Sequence, residues 1–278
     1  MDISNLAGKL VVITGGSSGI GFCIAEQLAR LGADILLVAR NQQKLDQSVE
    51  CLIRKYNGRF EGISVDVSKA EEVELLVRHI RVTWGCADII INSAGIVSAG
   101  KLHETPIEEW DRLYAINVRG LVLVLQALIP DMIAAHVHDS EQRHIVNIAS
   151  AAAYSGAGGM SAYSATKAAV VALGDSLRAE LVHQHIGVST IAPGFVKTPI
   201  AETVQLFGSM NSPEGKQAVS KMFSKVSLLP EHVADKTLNA IGKNKPLVNI
   251  GFEARSAHFL KRLSPSLLAR VVSARIHT

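Results

Sequence analysis

The chain has 278 residues, 48% of them hydrophobic and 19% charged, a composition that can bury one large core and is too apolar for a disordered chain. Its formal net charge of +3 is too small to argue for a nucleic-acid partner. Three cysteines, Cys23, Cys51 and Cys86, are odd in number, show no metal-ligand spacing and fit a reducing, intracellular compartment.

Met1–Asn5 has neither the basic nor the apolar segment of a signal peptide, so a cytoplasmic protein is expected. Lys9–Thr14 (KLVVIT) is a short apolar run ahead of a glycine cluster, which predicts a buried strand. A helix over Gly19–Leu31 stops at Gly32, followed by a strand at Asp34–Ala39 and a helix at Asn41–Tyr56. A strand at Phe60–Val65 and a helix near Ala70–Trp84 come next, then a strand at Ala87–Asn92. A long helix after Pro106 runs through Asn117 toward Ala135. Its longest apolar run, near Leu121–Ile129, is interrupted by Gln126 and is too short to span a bilayer. A fifth strand is expected at His144–Ala149, a long helix at Tyr163–His183, a sixth strand at Gly187–Ile191 and a seventh at Leu247–Ile250. Strands apolar on both faces and separated by helices predict a parallel sheet covered on both sides. The repeated βαβαβ order predicts the doubly wound, Rossmann-type α/β fold, whose ligand lies at the carboxyl ends of the strands.

The first strand leads into Thr14-Gly15-Gly16-Ser17-Ser18-Gly19-Ile20-Gly21. Glycines let the backbone turn tightly and approach a pyrophosphate, while the next helix offers free N–H groups and a positive dipole end. The spacing is G-x-x-x-G-x-G, and the turn sits directly between strand and helix. At the end of the second strand, where an acid would accept from the ribose 2′-OH of NAD, Leu37-Val38-Ala39 is followed by Arg40, with Lys44 one helical turn on. Two cations there suit the 2′-phosphate of NADP. Ser18 is neutral, so the NADP reading rests on Arg40 and Lys44.

Tyr163-Ser164-Ala165-Thr166-Lys167 puts a phenol and an ammonium on one helical face. A neighbouring cation lowers a phenol's pKa and makes it a usable acid/base. Ser150, at the end of the fifth strand, has a hydroxyl suited to donate to a substrate oxygen.

Taken together, TGGSSGIG at 14–21, DV at 66–67, NSAG at 92–95, Asn117 in INVRG, Ser150, YSATK at 163–167 and PGFVKT at 193–198 resemble the short-chain dehydrogenase/reductases. The likeness covers about residues 8–200. It implies that Tyr163 donates the proton to a carbonyl during reduction. It implies that Lys167 binds the nicotinamide ribose and depresses the Tyr163 pKa, and that Ser150 orients the carbonyl. Asn117 would distort its helix and help hold a water linked to Lys167. Gly15, Ser17, Ser18, Gly19, Ile20 and Gly21 would form the phosphate turn. Asp66 and Val67 would flank the adenine, and Asn92, Ala94 and Gly95 would pass beneath the adenosine ribose. In PGFVKT, Pro193 and Gly194 would line the cofactor, with Val196 and Thr198 holding the carboxamide. Ser93 stands where many relatives have asparagine.

Pro199–Ser227 matches the family's substrate lid and carries Ile200, Val204, Leu206, Phe207, Met210, Met222 and Phe223 between polar residues. That composition fits a lipophilic substrate as well as packing on the body. Ala151-Ala152-Ala153 and Gly156–Gly159 are small residues that leave room near Ser150. The strings GGSSGIGFCIA, LLVARNQQKL, ISVDVS and NSAGIVSAGKL resemble the 3-ketodihydrosphingosine reductases, which implies a long-chain ketone substrate. A hydroxysteroid dehydrogenase and a 3-ketoacyl thioester reductase are the competing enzyme readings. A redox sensor that merely binds NADP would be expected to lose the tyrosine, lysine, serine or asparagine, and all four are present.

Residues 1–251 read as one catalytic domain and 252–278 as a basic amphipathic tail. The tail has Arg255, Lys261, Arg262, Arg270 and Arg275 against Glu253, with Phe259, Leu260, Leu263, Leu267, Leu268, Val271, Val272 and Ile276 between them and a break at Pro265. Such a stripe lies on an anionic membrane surface or docks on protein. His136, His138 and His144 fall in a polar stretch without metal-site spacing, and no metal is expected. The Ala/Leu/Val-rich helices near 107–135 and 163–183 resemble those that pair in relatives, which implies a homodimer or homotetramer.

Overall fold

A computed structural model of the chain describes residues 1–156, 158–224 and 227–274. Arg275 and Ile276 of the expected tail, and the side chains of Met222 and Phe223 in the expected lid, lie outside the described residues. The chain alternates strand and helix: β1 (Leu10–Thr14), α1 (Gly19–Arg30), β2 (Asp34–Ala39), α2 (Gln42–Lys55), β3 (Phe60–Ser64), α3 (Ala70–Thr83), β4 (Ile89–Asn92), β5 (Ser98–Ala99) and α4 (Ile107–Tyr114). A π-helical turn at Ala115–Gly120 joins α4 to α5 (Leu121–Asp139), followed by β6 (Arg143–Ile148), α6 (Ala152–Ser155), α7 (Ser161–Leu181), β7 (Ile186–Pro193) and β8 (Gln205–Leu206). The last elements are α8 (Pro213–Ser224), α9 (Pro230–Gly242), β9 (Leu247–Ile250), α10 (Phe252–Leu263) and α11 (Pro265–Ala274).

Seven strands form one sheet in the order β3-β2-β1-β4-β6-β7-β9, and every pairing is parallel. Strand alternation sends side chains to two cores. Val12, Leu36, Val38, Ile90, Ile145 and Val188 face the layer of α3, α5 and α7, whereas Val11, Ile13, Ile35, Leu37, Ile91 and Ile191 face α1, α2 and α9. Each fully buried branched side chain in these layers stabilises the fold by roughly 1.5–3 kcal/mol. This is the doubly wound α/β fold, with the strand order reversing between β1 and β4, where such sheets open a crevice.

The stretch Ile107–Asp139 is helical throughout and, by length and mean hydropathy (1.8), sufficient to cross a membrane. Val124, Leu125, Leu128 and Met132 instead place one face of it in the sheet core. The lid region is more structured than its sequence suggests. β8 pairs with β5 as a two-stranded parallel ribbon, and Glu104 accepts from the Ser209 amide at 2.8 Å and hydroxyl at 2.7 Å. At the C-terminus, Ala257 and Leu268 join the core on the α6 side, backed by Leu260 and Val272. Ser264 breaks the helix ahead of Pro265, as the proline predicts.

Candidate active site

The site is assembled where the strands end. After Thr14 the chain turns at Gly15, whose φ is +65°. A Cβ at Gly15 would lie 2.8 Å from the Ala94 amide nitrogen, and one at Gly21 would lie 2.5 Å from the Gly15 carbonyl oxygen. Only hydrogen fits at either position, so the turn is packed flat against both the start of α1 and the Ser93–Ala94 segment. Ser18 is the N-cap of α1, yet its side chain makes no capping bond and the first turn holds no acid. The first amides of α1 and the positive end of its dipole therefore remain available to an anion. This cradle fits a pyrophosphate. Ser17 is anchored through its carbonyl by the Ser48 hydroxyl at 3.2 Å. Thr198 comes down over the same turn, 3.4 Å from where a Cβ of Gly19 would be.

Arg40 follows β2 and is exposed, as is Lys44 on the first turn of α2, where Asn41 caps the Lys44 amide at 2.9 Å. Neither side chain has a salt-bridge partner among the described residues. Across from them sits Asp66. Burial opposes its ionisation, but the Ser68 hydroxyl and amide, at 2.7 and 3.0 Å, with the Arg40 and Lys69 charges, hold its carboxyl below the usual range. Val67 is buried against Gly120, and Thr14, Val67, Asn92, Ala94 and Gly120 line one small void.

The structure separates the backbone of the NSAG segment from its first side chain. Ala94 donates its amide to the Thr14 hydroxyl at 3.2 Å, and a Cβ on Gly95 would lie 3.3 Å from both Asn117 Oδ1 and Lys167 Nζ. The Asn92 side chain is buried and donates to Asn147 Oδ1 at 2.9 Å, which braces β4 on β6.

Asn117 is buried in the π-helical turn, a distortion often found at functional sites. Its Oδ1 accepts from the Ile96 amide at 2.8 Å, and its Nδ2 donates to the Ile96 carbonyl at 3.0 Å and to Thr166 Oγ1 at 3.1 Å. Thr166 in turn donates to the Tyr163 carbonyl at 2.7 Å. Thr166 thus joins the site without having been anticipated. A buried hydroxyl between Tyr163 and Lys167 was the available signal.

Tyr163 and Lys167 lie on one face of α7, with Lys167 Nζ 5.9 Å from the Tyr163 ring centroid. Lys167 is buried, donates to the Ile148 carbonyl at 2.9 Å, and burial holds its pKa down to about 8. The Tyr163 phenol meets the Ser150 side chain through a hydrogen bond. Burial pushes the phenol pKa up, and the Ser150 bond only partly opposes that. No lowering of the phenol by Lys167 accompanies this, and the ammonium donates to the Ile148 carbonyl. Ser150 Oγ also accepts from the Ala152 amide at 3.2 Å.

Pro193 closes β7 and accepts from the Ala151 amide at 2.8 Å, and the Gly194 amide donates to Ile250 at 2.8 Å. Val196 is buried and bridges to Leu228. Phe207 packs on Gly100 and Met210 on Gly159, so these lid side chains lie against the segments that precede α4 and α7. The three histidines do not converge. His144 is buried on Ser189, His136 stacks on His185 with centroids 4.7 Å apart, and His138 is exposed.

The sequence profile of the short chain dehydrogenases matches residues 9–207. A probable oxidoreductase of Mycobacterium tuberculosis, EphD, is 34% identical over 272 residues, covering 96% of this chain. The chain spans only 45% of that relative's length. L-sorbose reductase from Gluconobacter frateurii, solved with NADPH and L-sorbose, superposes with a TM-score of 0.77 at 28% identity, over 91% of this chain and 99% of that one. A short-chain dehydrogenase/reductase from Burkholderia phymatum, solved with NAD, superposes at 0.82 with 26% identity, over 95% and 94%. With the glycine turn, the Ser150–Tyr163–Lys167 cluster and these matches in agreement, the chain belongs to the short-chain dehydrogenase family of oxidoreductases.

Proposed function

We propose that the protein reduces a ketone to a secondary alcohol at the expense of NADPH, with Tyr163 as proton donor. The observation that carries this reading is the convergence of Ser150, Tyr163, Lys167 and Asn117 at the carboxyl edge of the sheet, opposite the glycine turn. NADPH, held by the residues of the turn, by Ala94 and Gly95 and by the Pro193–Thr198 segment, would supply the hydride. The protein's own part is acid catalysis. Ser150 donates to the carbonyl oxygen and holds it beside the phenol. Tyr163 gives up its proton as charge develops on that oxygen. Lys167, on the same helical face, stabilises the phenolate left behind, and with its pKa held down to about 8 it is still mainly an ammonium at neutral pH and gives up a proton more readily than an ordinary lysine. Asn117 keeps the backbone of Ile96 in place beside it. Arg40 and Lys44, without a salt-bridge partner among the described residues, favour the 2′-phosphorylated cofactor.

For the substrate, we infer a lipophilic ketone. Leu206, Phe207 and Met210 are half-buried on the lid and small residues follow Ser150, which suits an extended chain. The 3-ketodihydrosphingosine assignment rests on the string resemblance alone, and none of the relatives named above is such a reductase. A sugar-like ketone is the second reading, favoured by the superposition on L-sorbose reductase. The test is cofactor oxidation, with NADPH and NADH in parallel, against a sphingoid ketone, a 3-ketoacyl thioester, a ketosteroid and L-sorbose. Turnover with NADPH that Tyr163→Phe abolishes is the expected result. No turnover of any ketone, with cofactor still bound, would overturn the reading in favour of a cofactor-binding sensor.

A further inference from the structure

We propose that the outward face of α10 and α11 docks on an anionic lipid surface, with a lipid phosphate held between Arg255 and Arg262. On α10 the inward positions are Ala254 and Ala257, both buried. The opposite face shows Phe252 at 78%, Phe259 at 62% and Leu263 at 68% exposure, and on α11 Leu267 at 46% and Val271 at 37%. Five large apolar side chains held in water on one short segment carry a standing cost that partner burial removes.

Their neighbours define the partner's charge. Among residues 252–274, Arg255, Lys261, Arg262 and Arg270 face a single acid, Glu253. Arg255 Nε donates to the Asn249 carbonyl at 3.3 Å, which fixes the side chain and leaves its two terminal nitrogens without an acceptor among the described residues. A cavity of about 530 Å³ lies on the same face, lined by Asn249, Arg255, His258, Phe259, Arg262 and Leu263. It is large enough for a phosphodiester, and guanidinium groups at its wall match the geometry of phosphate oxygens. Phenylalanine and leucine interleaved with arginine and lysine on one helix face are the composition of segments that lie in a membrane interface. A second copy of this chain fits less well, because a two-fold contact would bring the same net-positive face against itself.

The placement bears on the active site. Tyr154 on α6, four residues after Ser150, packs at a tilt of 54° against His258 of α10 with centroids 4.9 Å apart. A docked α10 would hold the segment that follows Ser150 close to the lipid surface, as suits a lipophilic ketone. The docking itself does not depend on that substrate reading.

The experiment is flotation of the full chain with vesicles of phosphatidylcholine alone and of phosphatidylcholine with phosphatidylglycerol, at low and high salt. Binding to the anionic vesicles that salt weakens is expected. Each neutralised cation should cost roughly fivefold in partitioning, so Arg255→Gln with Arg262→Gln should cost roughly thirtyfold. Phe259→Ser with Leu263→Ser should also release the protein, and turnover of a water-soluble ketone should stay unchanged in both variants. Absence of binding by the wild-type chain, equal binding to neutral vesicles, or binding indifferent to both double variants would overturn the proposal. An oligomer that falls apart on Phe259→Ser with Leu263→Ser, without any vesicle binding, would overturn it in favour of a second copy. Loss of lipid docking with ketone turnover intact separates failure here from failure of the proposed reaction.

Discussion

The side-chain amide of Asn117 donates to the Thr166 hydroxyl at 3.1 Å, and that hydroxyl donates to the Tyr163 carbonyl at 2.7 Å. The π-helical turn is thereby tied to the helix that carries both the phenol and the ammonium. Thr166→Val keeps the shape and removes both bonds. Leaving a buried donor short of one partner costs about 1–3 kcal/mol. We expect the melting temperature to fall by several degrees and kcat to drop about tenfold as Tyr163 shifts, with little change in cofactor KM. Thr166→Ser should restore kcat. A wild-type kcat in the valine variant would show that the bond has no positioning role.

Lys167 predicts an alkaline rise in stability. Its pKa in the folded chain is about 8, against 10.5 for the unfolded group. Between those values the unfolded chain binds more protons than the folded one, so unfolding becomes less favourable as pH rises through that window. Below pH 8 the buried ammonium is a constant cost. Denaturation titrated from neutral pH to beyond pH 10 should show this slope, and Lys167→Met should remove one proton's worth of it. The same variant should lose turnover, because the phenolate of Tyr163 then has no cation on its helical face.

Much of this architecture is readable from the chain because local pattern and tertiary burial agree. KLVVIT and DILLVA are apolar at every position that the sheet buries except Thr14, and glycines mark the turn where backbone must touch backbone. Element ends move by a residue or two, as when β6 begins at Arg143 and α7 at Ser161, since fraying and packing decide them. What escapes the sequence is tertiary. The π-turn exists because Asn117 reaches Ile96, far away along the chain. Asn92 sits in a cofactor-like motif, but strand alternation commits its side chain to Asn147. The direction of the Tyr163 shift depends on how deeply the phenol is enclosed, which spacing on a helix does not report. The tail stripe is legible, yet only the fold shows that Leu268 is its inward side chain and Phe259 and Leu263 its outward ones.

Arg40 stands exposed at the end of β2, without a salt-bridge partner among the described residues and close enough to Asp66 to lower its pKa. If it pairs with a 2′-phosphate, Arg40→Ala removes charge-assisted hydrogen bonds. These are worth about 1.5–3 kcal/mol, so KM for NADPH should rise roughly tenfold to a hundredfold. KM for NADH should barely move. Arg40→Asp should go further and favour NADH, since a carboxylate there accepts from a free ribose hydroxyl. Steady-state kinetics with both cofactors decide it. An unchanged NADPH KM in the alanine variant would remove Arg40 from the cofactor site.

His144 sets the acid limit of the fold. Its ring is buried between strands, bonded to Ser189 Oγ at 2.9 Å, while Ser189 donates to the Lys245 carbonyl at 2.6 Å. Burial holds its pKa down to about 3, against 6.5 unfolded, so the folded chain keeps the ring neutral. Its stabilising contribution is complete above pH 6.5. As pH falls below that, the unfolded chain takes up a proton that the folded chain refuses, and stability declines by about 1.4 kcal/mol per pH unit. Urea denaturation between pH 7 and pH 5 should show the decline. His144→Asn should flatten it by one proton while leaving the Tyr163 site intact, because β6 carries the ring near its start and Ser150 lies just beyond its other end. If the acid slope of the variant matches that of the wild type, the ring is not kept neutral by burial and another group controls acid unfolding.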